Sequence, residues 1–302
     1  MTGTLYLCAT PIGNLEDMTP RVVDTLREVD LIAAEDTRNS LKLLNHFEIR
    51  TPMTSYHEYN KYDKADQLIG NLMEGKNIAL ITDAGTPGIS DPGEVMTVKC
   101  QEAGIPVTSL PGCCACITAL TLSGLSTRRF CFEGFLPSDK KDRKFVLQEL
   151  QKETRTIVLY EAPHHLKRTL EELSSTLGQR RITLCRELTK KFETVFPTTL
   201  TEAVAYYQEN EPRGEYVLVL EGLSRESLEN SRKIKWEGIS IEEHMKQYTD
   251  QNIDKKEAMK LVAADRGISK GRYIRPCYSR KKFFKKMVIW YLYFLMDVVL
   301  YK

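Results

Sequence analysis

The segment Thr82–Gly93 has the composition of a loop that binds a ligand through its backbone. Five of its twelve residues are Gly or Pro, and it directly follows the apolar run 78–81. Glycine lets a backbone approach a ligand without an intervening side chain. Because ligands of open parallel sheets bind at the carboxyl ends of the strands, this pattern predicts a binding site there.

Two further Gly/Pro segments follow predicted strands, Ala9–Leu15 after the first and Leu110–Ala115 after the fifth. We expect all three loops to lie at one sheet edge and to contact a flat, partly apolar ligand. Turn chemistry alone is the alternative explanation for any single loop. The first strand is not followed by G-x-G-x-x-G, and the sequence contains no G-x-x-x-x-G-K-[ST], which disfavours ordinary dinucleotide and P-loop sites.

These loops need a scaffold of alternating strands and helices. Apolar runs at 5–9, 31–34, 53–56, 78–82 and 107–110 alternate with helical patterns, which predicts a parallel, doubly covered α/β sheet in residues 1–117. A second set of strands at 130–135, 156–160, 182–187, 192–196 and 216–221 predicts another α/β domain in residues 118–222. A cleft between the two domains is the default site.

Composition and charge narrow the class of protein. Cys113, Cys114 and Cys116 lack a second Cys/His pair at zinc-finger spacing, so we interpret them as small buried residues and expect no metal. No secretory leader precedes the first apolar run, and we expect a reducing cytoplasm. Residues 270–302 hold nine of the 43 basic and one of the 41 acidic residues, so residues 1–269 carry a net charge of −6. This larger part of the chain lacks the overall positive charge that is typical of nucleic-acid-binding proteins.

The C-terminal part has a different character. Residues 223–270 are charged and helical in pattern, with a helix predicted over 256–264, and form a small helical module. Residues 271–302 are basic and aromatic, and the apolar stretch 287–301 is shorter than a membrane span needs. We interpret this tail as the product of a reading-frame change after Lys270. An interfacial membrane anchor is the alternative.

Several motifs, in this order, resemble the ribosomal RNA small subunit methyltransferase I group of the tetrapyrrole methylase superfamily. They are ATPIGNLEDMTPR (9–21), AAEDTR (33–38), SYHEYN (55–60), TDAGTPGISDPG (82–93), LPG (110–112), FEGFLP (132–137) and YEAPHHL (160–166). The resemblance implies a two-domain fold with a parallel first sheet and a mixed second sheet. It also implies transfer of a methyl group from S-adenosylmethionine to a cytidine ribose 2'-hydroxyl in the decoding centre of 16S rRNA, by a homodimer acting on the small ribosomal subunit.

The resemblance also implies which residues bind the cofactor. They are Pro11, Ala84, Gly85, Thr86, Ile89, Cys114, Ala115 and Glu161. The group usually has Pro-Gly-Pro-Ser-Ala where this chain has Pro-Gly-Cys-Cys-Ala at 111–115, so a thiol stands in place of a hydroxyl at Cys114. A thiol is the weaker hydrogen-bond donor.

A sulfonium methyl group needs mainly alignment with its acceptor, and a positioned base would activate the ribose hydroxyl. Candidates follow the strands: Glu35, Asp36 and Arg38 in the first domain, and Arg186, Glu187 and Lys190 in the second. We predict Asp36, Glu187 and Lys190 as catalytic. The alternatives are a helix N-terminus for the first group and a solvated salt-bridge face for the second.

RNA contacts are expected from local basic patches, because the body of the chain is net negative. The candidates are Arg128-Arg129, Lys140-Lys141 with Arg143-Lys144, and Lys190-Lys191. After the third strand, His57 and Asn60 either contact RNA or cap a helix. Two other functions stay open: a tetrapyrrole-precursor C-methyltransferase, and a catalytically inactive RNA-binding ribosome-assembly factor.

Overall fold

A computed structural model describes residues 1–224, 226–227, 236 and 238–267. The tail 271–302, and with it the two interpretations given above for that tail, lies outside the described residues. The chain divides into two compact units, Met1–Leu223 and a second that begins at Ser224. Among the described residues, no helix combines the length and the hydrophobicity that crossing a bilayer requires.

The first sheet is fully parallel, as the alternating pattern predicts. Its strands lie in the order β3-β2-β4-β1-β5. They are β1 (Leu5–Cys8), β2 (Leu31–Ala34), β3 (Met53–Ser55), β4 (Ile78–Ile81) and β5 (Val107–Leu110). The helices that follow them are α1 (Pro20–Glu28), α2 (Thr37–His46), α3 (Lys61–Met73), α4 (Gly93–Glu102) and α5 (Ala115–Leu122).

Burial on both faces explains the uninterrupted apolar strands of this sheet. All four residues of β4 are buried. Ala79 and Ile81 pack in one core cluster with α1, whereas Ile78 and Leu80 pack in another with α3 and α4. Helices therefore cover both faces, which leaves the carboxyl edge of the strands as the accessible place for a ligand.

The second sheet is mixed and has the order β6-β7-β10-β8-β9. Its strands are β6 (Phe130–Phe135), β7 (Thr156–Glu161), β8 (Arg181–Arg186), β9 (Thr194–Thr199) and β10 (Tyr216–Leu220). Only β6 and β7 pair in parallel; the other pairs are antiparallel. Helices α6 (Lys140–Leu150), α7 (Pro163–Leu177) and α8 (Leu200–Glu209) complete this part.

The strand predicted over 192–196 begins two residues later, at Thr194. The preceding residues form a tight turn, in which Glu187 and Thr189 adopt positive φ angles of 52° and 64°. The backbone N–H of Thr189 donates to the Glu193 carboxylate at 2.6 Å, which closes the turn. The composition of this segment gave no sign of that turn.

The second unit contains two described helices, α9 (Ile241–Thr249) and α10 (Lys255–Asp265), of which α10 includes the predicted helix 256–264. The buried His244 ring lies 3.2 Å from the Asp265 carboxylate, which joins the two helices. The predicted division of residues 1–222 near residue 118 stays a prediction.

Candidate active site

The three Gly/Pro loops meet at the carboxyl edge of the first sheet, as predicted. Thr10 and Gly85 exchange two backbone hydrogen bonds, of 2.9 Å from Thr10 N to Gly85 O and 3.1 Å in return. The Thr86 hydroxyl donates to the Cys113 carbonyl oxygen at 2.8 Å. The loop after β4 is therefore hydrogen-bonded to the loops after β1 and after β5.

Asp91 fixes the internal shape of the loop Thr82–Gly93. Its carboxylate accepts the backbone N–H groups of Gly88, Ile89 and Gly93 at 2.8–2.9 Å. The Tyr56 hydroxyl, directly after β3, donates to the Pro92 carbonyl oxygen at 2.9 Å. With so many backbone groups satisfied internally, the loop is formed before any ligand binds.

A cavity of about 510 Å³ lies against this loop, between the two sheets. Residues from β7 and β10 of the second sheet form its opposite wall, among them Tyr160, Glu161 and Val217. Among the described residues, its lining includes five acidic residues and no Lys, Arg or His: Glu35, Asp83, Asp91, Glu161 and Glu215. The first cavity is therefore suited to a ligand that carries positive charge.

Seven of the eight predicted cofactor residues line this first cavity. They are Ala84, Gly85, Thr86, Ile89, Cys114, Ala115 and Glu161. Pro11 instead lines a second cavity of about 470 Å³. The structure thus brings together residues that are as much as 77 positions apart in the sequence.

The second cavity adjoins the first and differs from it in charge. Ile12, Thr82, Asp83, Ala84 and Glu215 line both cavities. The second cavity also has Lys42 and Lys190 in its lining, together with the amide of Asn39. Its lining also holds Asp83 and Glu215, and Lys190 is paired with Glu215. Lys42, which has no ion-pair partner among the described residues, is therefore the lysine that can bind a negatively charged group.

The predicted catalytic residues occupy different positions. Asp36 caps α2 by accepting the Arg38 N–H at 2.8 Å, and its second oxygen accepts from the Arg38 guanidinium at 3.0 Å. These hydrogen bonds lower the Asp36 pKa to about 2. Asp36 is not among the lining residues of either cavity. Its catalytic role stays a prediction, and its structural role is a helix cap.

Glu187 and Lys190 belong to one charged group at the rim of the second cavity. Lys190 Nζ donates to Glu187 at 3.1 Å and to Glu215 at 2.8 Å. The Glu187 carboxylate also accepts the Glu215 backbone N–H at 2.9 Å, and this hydrogen bond is the largest influence that lowers its pKa. Of the two, Lys190 lines the cavity and Glu187 holds it in place.

Glu35, which the sequence placed in the same cluster as Asp36, lines the first cavity. Its carboxylate accepts the Asp83 backbone N–H at 3.3 Å. Burial is the main cause that raises its pKa, and the Asp83 and Asp91 charges act in the same direction. The cavity thus concentrates carboxylates closely enough for them to perturb one another.

The three clustered cysteines are not equally buried, which corrects the sequence-based interpretation. Cys116 is buried, but Cys113 and Cys114 are half-exposed, and Cys114 lines the first cavity. The Cys114 and Cys116 sulfur atoms lie 3.3 Å apart. This contact lowers the pKa of the Cys114 thiol and raises that of Cys116. Within the described ranges, no group of three or more His, Cys, Asp or Glu side chains is placed to hold a metal ion.

A buried polar chain supports Glu161, which sequence reasoning did not anticipate. The Thr169 hydroxyl donates to Glu161 at 2.5 Å and accepts from the Arg143 guanidinium at 2.7 Å. Arg143 also pairs with Glu172 at 2.5 Å, and only 9% of its side chain is exposed. Arg143 therefore does not belong to a surface patch with its exposed neighbours Lys140, Lys141 and Lys144, because it faces inward.

Asn60 occupies the N-cap position of α3, as predicted, but its side chain makes no capping hydrogen bond to the helix. Its amide oxygen instead accepts the His57 N–H at 2.8 Å and closes a turn before the helix. Neither His57 nor Asn60 lines either cavity.

Comparison with known proteins gives consistent results. Residues 4–204 match the family model of Tetrapyrrole (Corrin/Porphyrin) Methylases. Ribosomal RNA small subunit methyltransferase I from Halalkalibacterium halodurans is 48% identical over 89% of this chain and 92% of its own length. The proteins of that name from Bacillus subtilis and Synechocystis are 46% and 55% identical, over 93% and 74% of this chain and 95% and 81% of their own lengths.

Solved structures with the same fold are more distant in sequence. Diphthine synthase is 13% identical, with a TM-score of 0.59 over 73% of this chain and 90% of its own. Uroporphyrin-III C-methyl transferase from Thermus thermophilus, complexed with S-adenyl homocysteine, is 19% identical, with a TM-score of 0.52 over 72% of this chain and 97% of its own. The two sheets, the loops at their edge and these relatives together show that the chain is a methyltransferase of the tetrapyrrole methylase family and belongs to its ribosomal RNA small subunit methyltransferase I group.

Proposed function

We propose that this methyltransferase transfers a methyl group from S-adenosylmethionine to the 2'-hydroxyl of a cytidine ribose in the decoding centre of 16S rRNA. The observation that carries the proposal is the first cavity, in which three Gly/Pro loops surround a space of about 510 Å³ that is lined by five carboxylates. The names of the relatives supply the substrate class, ribosomal RNA of the small subunit. We propose a homodimer that acts in the cytoplasm on the small subunit.

The lining of the first cavity fits S-adenosylmethionine in size and charge. Pockets for drug-sized ligands measure roughly 300–1,000 Å³. The cofactor carries a sulfonium, an ammonium and a carboxylate group, and its net charge is positive. Carboxylates without competing cations favour such a ligand, whereas they repel a phosphate. A structural neighbour with the same fold was solved with S-adenyl homocysteine, which supports this choice. We assign Ala84, Gly85, Thr86, Ile89, Cys114, Ala115 and Glu161 to cofactor binding.

The bound cofactor supplies an activated methyl group. The protein contributes alignment, because the internally bonded loop Thr82–Gly93 holds a fixed surface against which the methyl donor is placed. Apolar side chains line the same space and exclude water from it: Ile12 in the loop after β1, Leu188 in the loop after β8, and Val217 in β10. A ribose hydroxyl must then approach from the open side, where the second cavity adjoins the first.

The test is incubation of the purified protein with methyl-labelled S-adenosylmethionine and small ribosomal subunits that lack the modification. We expect label in 16S rRNA, at a single cytidine, and resistance of that linkage to alkaline hydrolysis because the 2'-oxygen is blocked. Label in a porphyrinogen supplied as a competitor would instead support C-methylation of a tetrapyrrole. Binding to the subunit without transfer would support an inactive assembly factor.

A further inference from the structure

The two adjoining cavities differ in the charge of the ligand that they suit. Among the described residues, the lining of the first has five acidic residues and no basic one, whereas the second has two of each: Asp83, Glu215, Lys42 and Lys190. In the described part of the chain Lys42 has no ion-pair partner, while Lys190 is held by Glu187 and Glu215. A cationic methyl donor and a polyanionic RNA strand would therefore be drawn to different cavities.

Asp83 lies at the junction between them. It is one of five residues that line both cavities, and only Asp83 and Glu215 among those five have a carboxylate. The Glu215 carboxylate is paired with Lys190 at 2.8 Å. Asp83 has no ion-pair partner among the described residues, so its carboxylate keeps acceptor sites for the hydroxyl group of a ligand.

The Asp83 carboxylate is nevertheless oriented by its neighbours. Oδ1 accepts the Asp36 backbone N–H at 3.2 Å, and Oδ2 accepts the Asn39 amide at 3.4 Å. Its own N–H donates to Glu35 at 3.3 Å. These contacts hold the side chain at the loop start, next to the hydrogen-bonded pair Thr10 and Gly85. They leave accepting capacity on both oxygens.

We propose that the second cavity seats the acceptor nucleotide and that Asp83 is the catalytic base that accepts the proton of its ribose hydroxyl. This inference rests on the proposed function. The hydroxyl oxygen forms a bond to the methyl carbon while the carbon–sulfur bond breaks and its electron pair goes to sulfur, which becomes a neutral thioether. The hydroxyl proton goes to the Asp83 carboxylate and from there to water. Lys42 contacts a phosphate next to the acceptor nucleotide.

The test compares Asp83→Asn, Asp83→Glu and a control, Glu102→Gln, whose carboxylate is exposed at the end of α4 and outside both cavities. Single-turnover methylation of unmodified small subunits is measured at saturating cofactor, and S-adenosylhomocysteine binding is measured by calorimetry. We expect Asp83→Asn to slow the methyl transfer by roughly 100-fold or more, because general bases contribute about 10²- to 10⁴-fold. S-adenosylhomocysteine affinity should fall by far less than the rate, because four other acidic residues remain in the lining of the first cavity. Asp83→Glu should recover part of the rate, and Glu102→Gln should match the wild type.

A lysine variant completes the test. Lys42→Ala should raise KM for the subunit and leave kcat unchanged. An Asp83→Asn variant that keeps the wild-type rate would overturn this inference and leave the proposed function intact. So would a variant whose S-adenosylhomocysteine affinity falls as much as its rate. A wild-type protein that methylates no ribose in the subunit would overturn the proposed function and this inference together.

Discussion

Thr10 and Gly85 form a two-residue antiparallel bridge between loops that follow different strands of a parallel sheet. The bridge joins the ends of β1 and β4, and the Thr10 hydroxyl adds a hydrogen bond of 3.1 Å to the Thr82 carbonyl oxygen. Gly85 accepts this geometry because its φ is +89°, a conformation that side chains with a Cβ rarely adopt. The floor of the first cavity therefore depends on a glycine at this position.

We predict that Gly85→Ala weakens cofactor binding as well as stability. A Cβ there would lie 3.4 Å from the Ile12 side chain, which lines both cavities, and the positive φ would cost about 1–2 kcal/mol. S-adenosylhomocysteine affinity should fall by roughly tenfold, about 1.4 kcal/mol, in calorimetry. Gly104→Ala is the matched control, because Gly104 has a φ of +65° and a Cβ added to it would meet no heavy atom within 4 Å. Gly104→Ala should lose a similar amount of stability in urea unfolding and keep the S-adenosylhomocysteine affinity of the wild type. Equal affinity for S-adenosylhomocysteine in the two variants would contradict the prediction.

Cys114 is expected to react at unusually low pH. Its thiol pKa is lowered, first by the hydrogen bond from Cys116, and the thiolate is the form that alkylating reagents attack. Because the reactive form appears as pH rises through the pKa, iodoacetamide should modify Cys114 well below pH 8.5, the ordinary value for cysteine. Mass spectrometry of the labelled peptide measures the rate against pH.

Two variants and one ligand check the Cys114 assignment. Cys116→Ala removes the hydrogen-bond donor and should shift the onset of Cys114 labelling to higher pH. S-adenosylhomocysteine should protect Cys114, since that side chain lines the first cavity. Cys114→Ser should eliminate the low-pH labelling while restoring a hydroxyl to the loop. Labelling that is insensitive to the ligand would place the cofactor elsewhere.

Arg143 should matter for stability and Lys144 for contact with RNA. Arg143→Met leaves Glu172 and the buried Thr169–Glu161 pair without their cation, and breaking a buried ion pair costs about 3–5 kcal/mol. We expect a loss near the lower figure in chemical unfolding, because Glu172 keeps its exposed partner Arg168. Lys144→Ala should change stability by less than about 0.5 kcal/mol, as is usual for exposed sites. If Lys144 contacts a phosphate, its variant should also reduce the salt dependence of subunit binding.

Asp36→Asn separates capping from catalysis. Asparagine caps helices about as well as aspartate, so α2 should keep its N-terminus. The folded-state pKa of Asp36, about 2, lies below the ordinary value of about 3.9, so the carboxylate stabilises the fold above pH 4 and loses this effect as pH falls through about 2. The variant should therefore be slightly less stable than wild type at neutral pH, and thermal unfolding should show the difference shrinking as pH falls towards and below 2, because this exposed pair is screened by solvent. Methyl transfer that falls by roughly 100-fold without a change in fold would show that Asp36 is catalytic.

Local sequence signals determined most of the scaffold. Apolar runs with strand length, such as Ile78–Ile81, and the helix predicted over 256–264 have the bounds that their patterns predict to within one or two residues. Hydrophobic periodicity is a local property, so it can be read without knowing what packs against it. The Gly/Pro content of Thr82–Gly93 likewise predicted a loop at the carboxyl edge of the sheet, and a cavity lies against that loop.

The tertiary structure decided which side chains contact one another and which ones remain available to contact a ligand. Asp36 and Asp83 both follow strands, and the sequence does not distinguish their roles. In the folded chain the Arg38 guanidinium is hydrogen-bonded to Asp36, whereas Asp83 lies where the two cavities join. Arg143 belongs to a basic run in the sequence and to a buried polar chain in the fold. Charge pairing and burial depend on residues far apart in the chain, such as Arg143 and Glu172 or Lys190 and Glu215, and no local pattern encodes their distance.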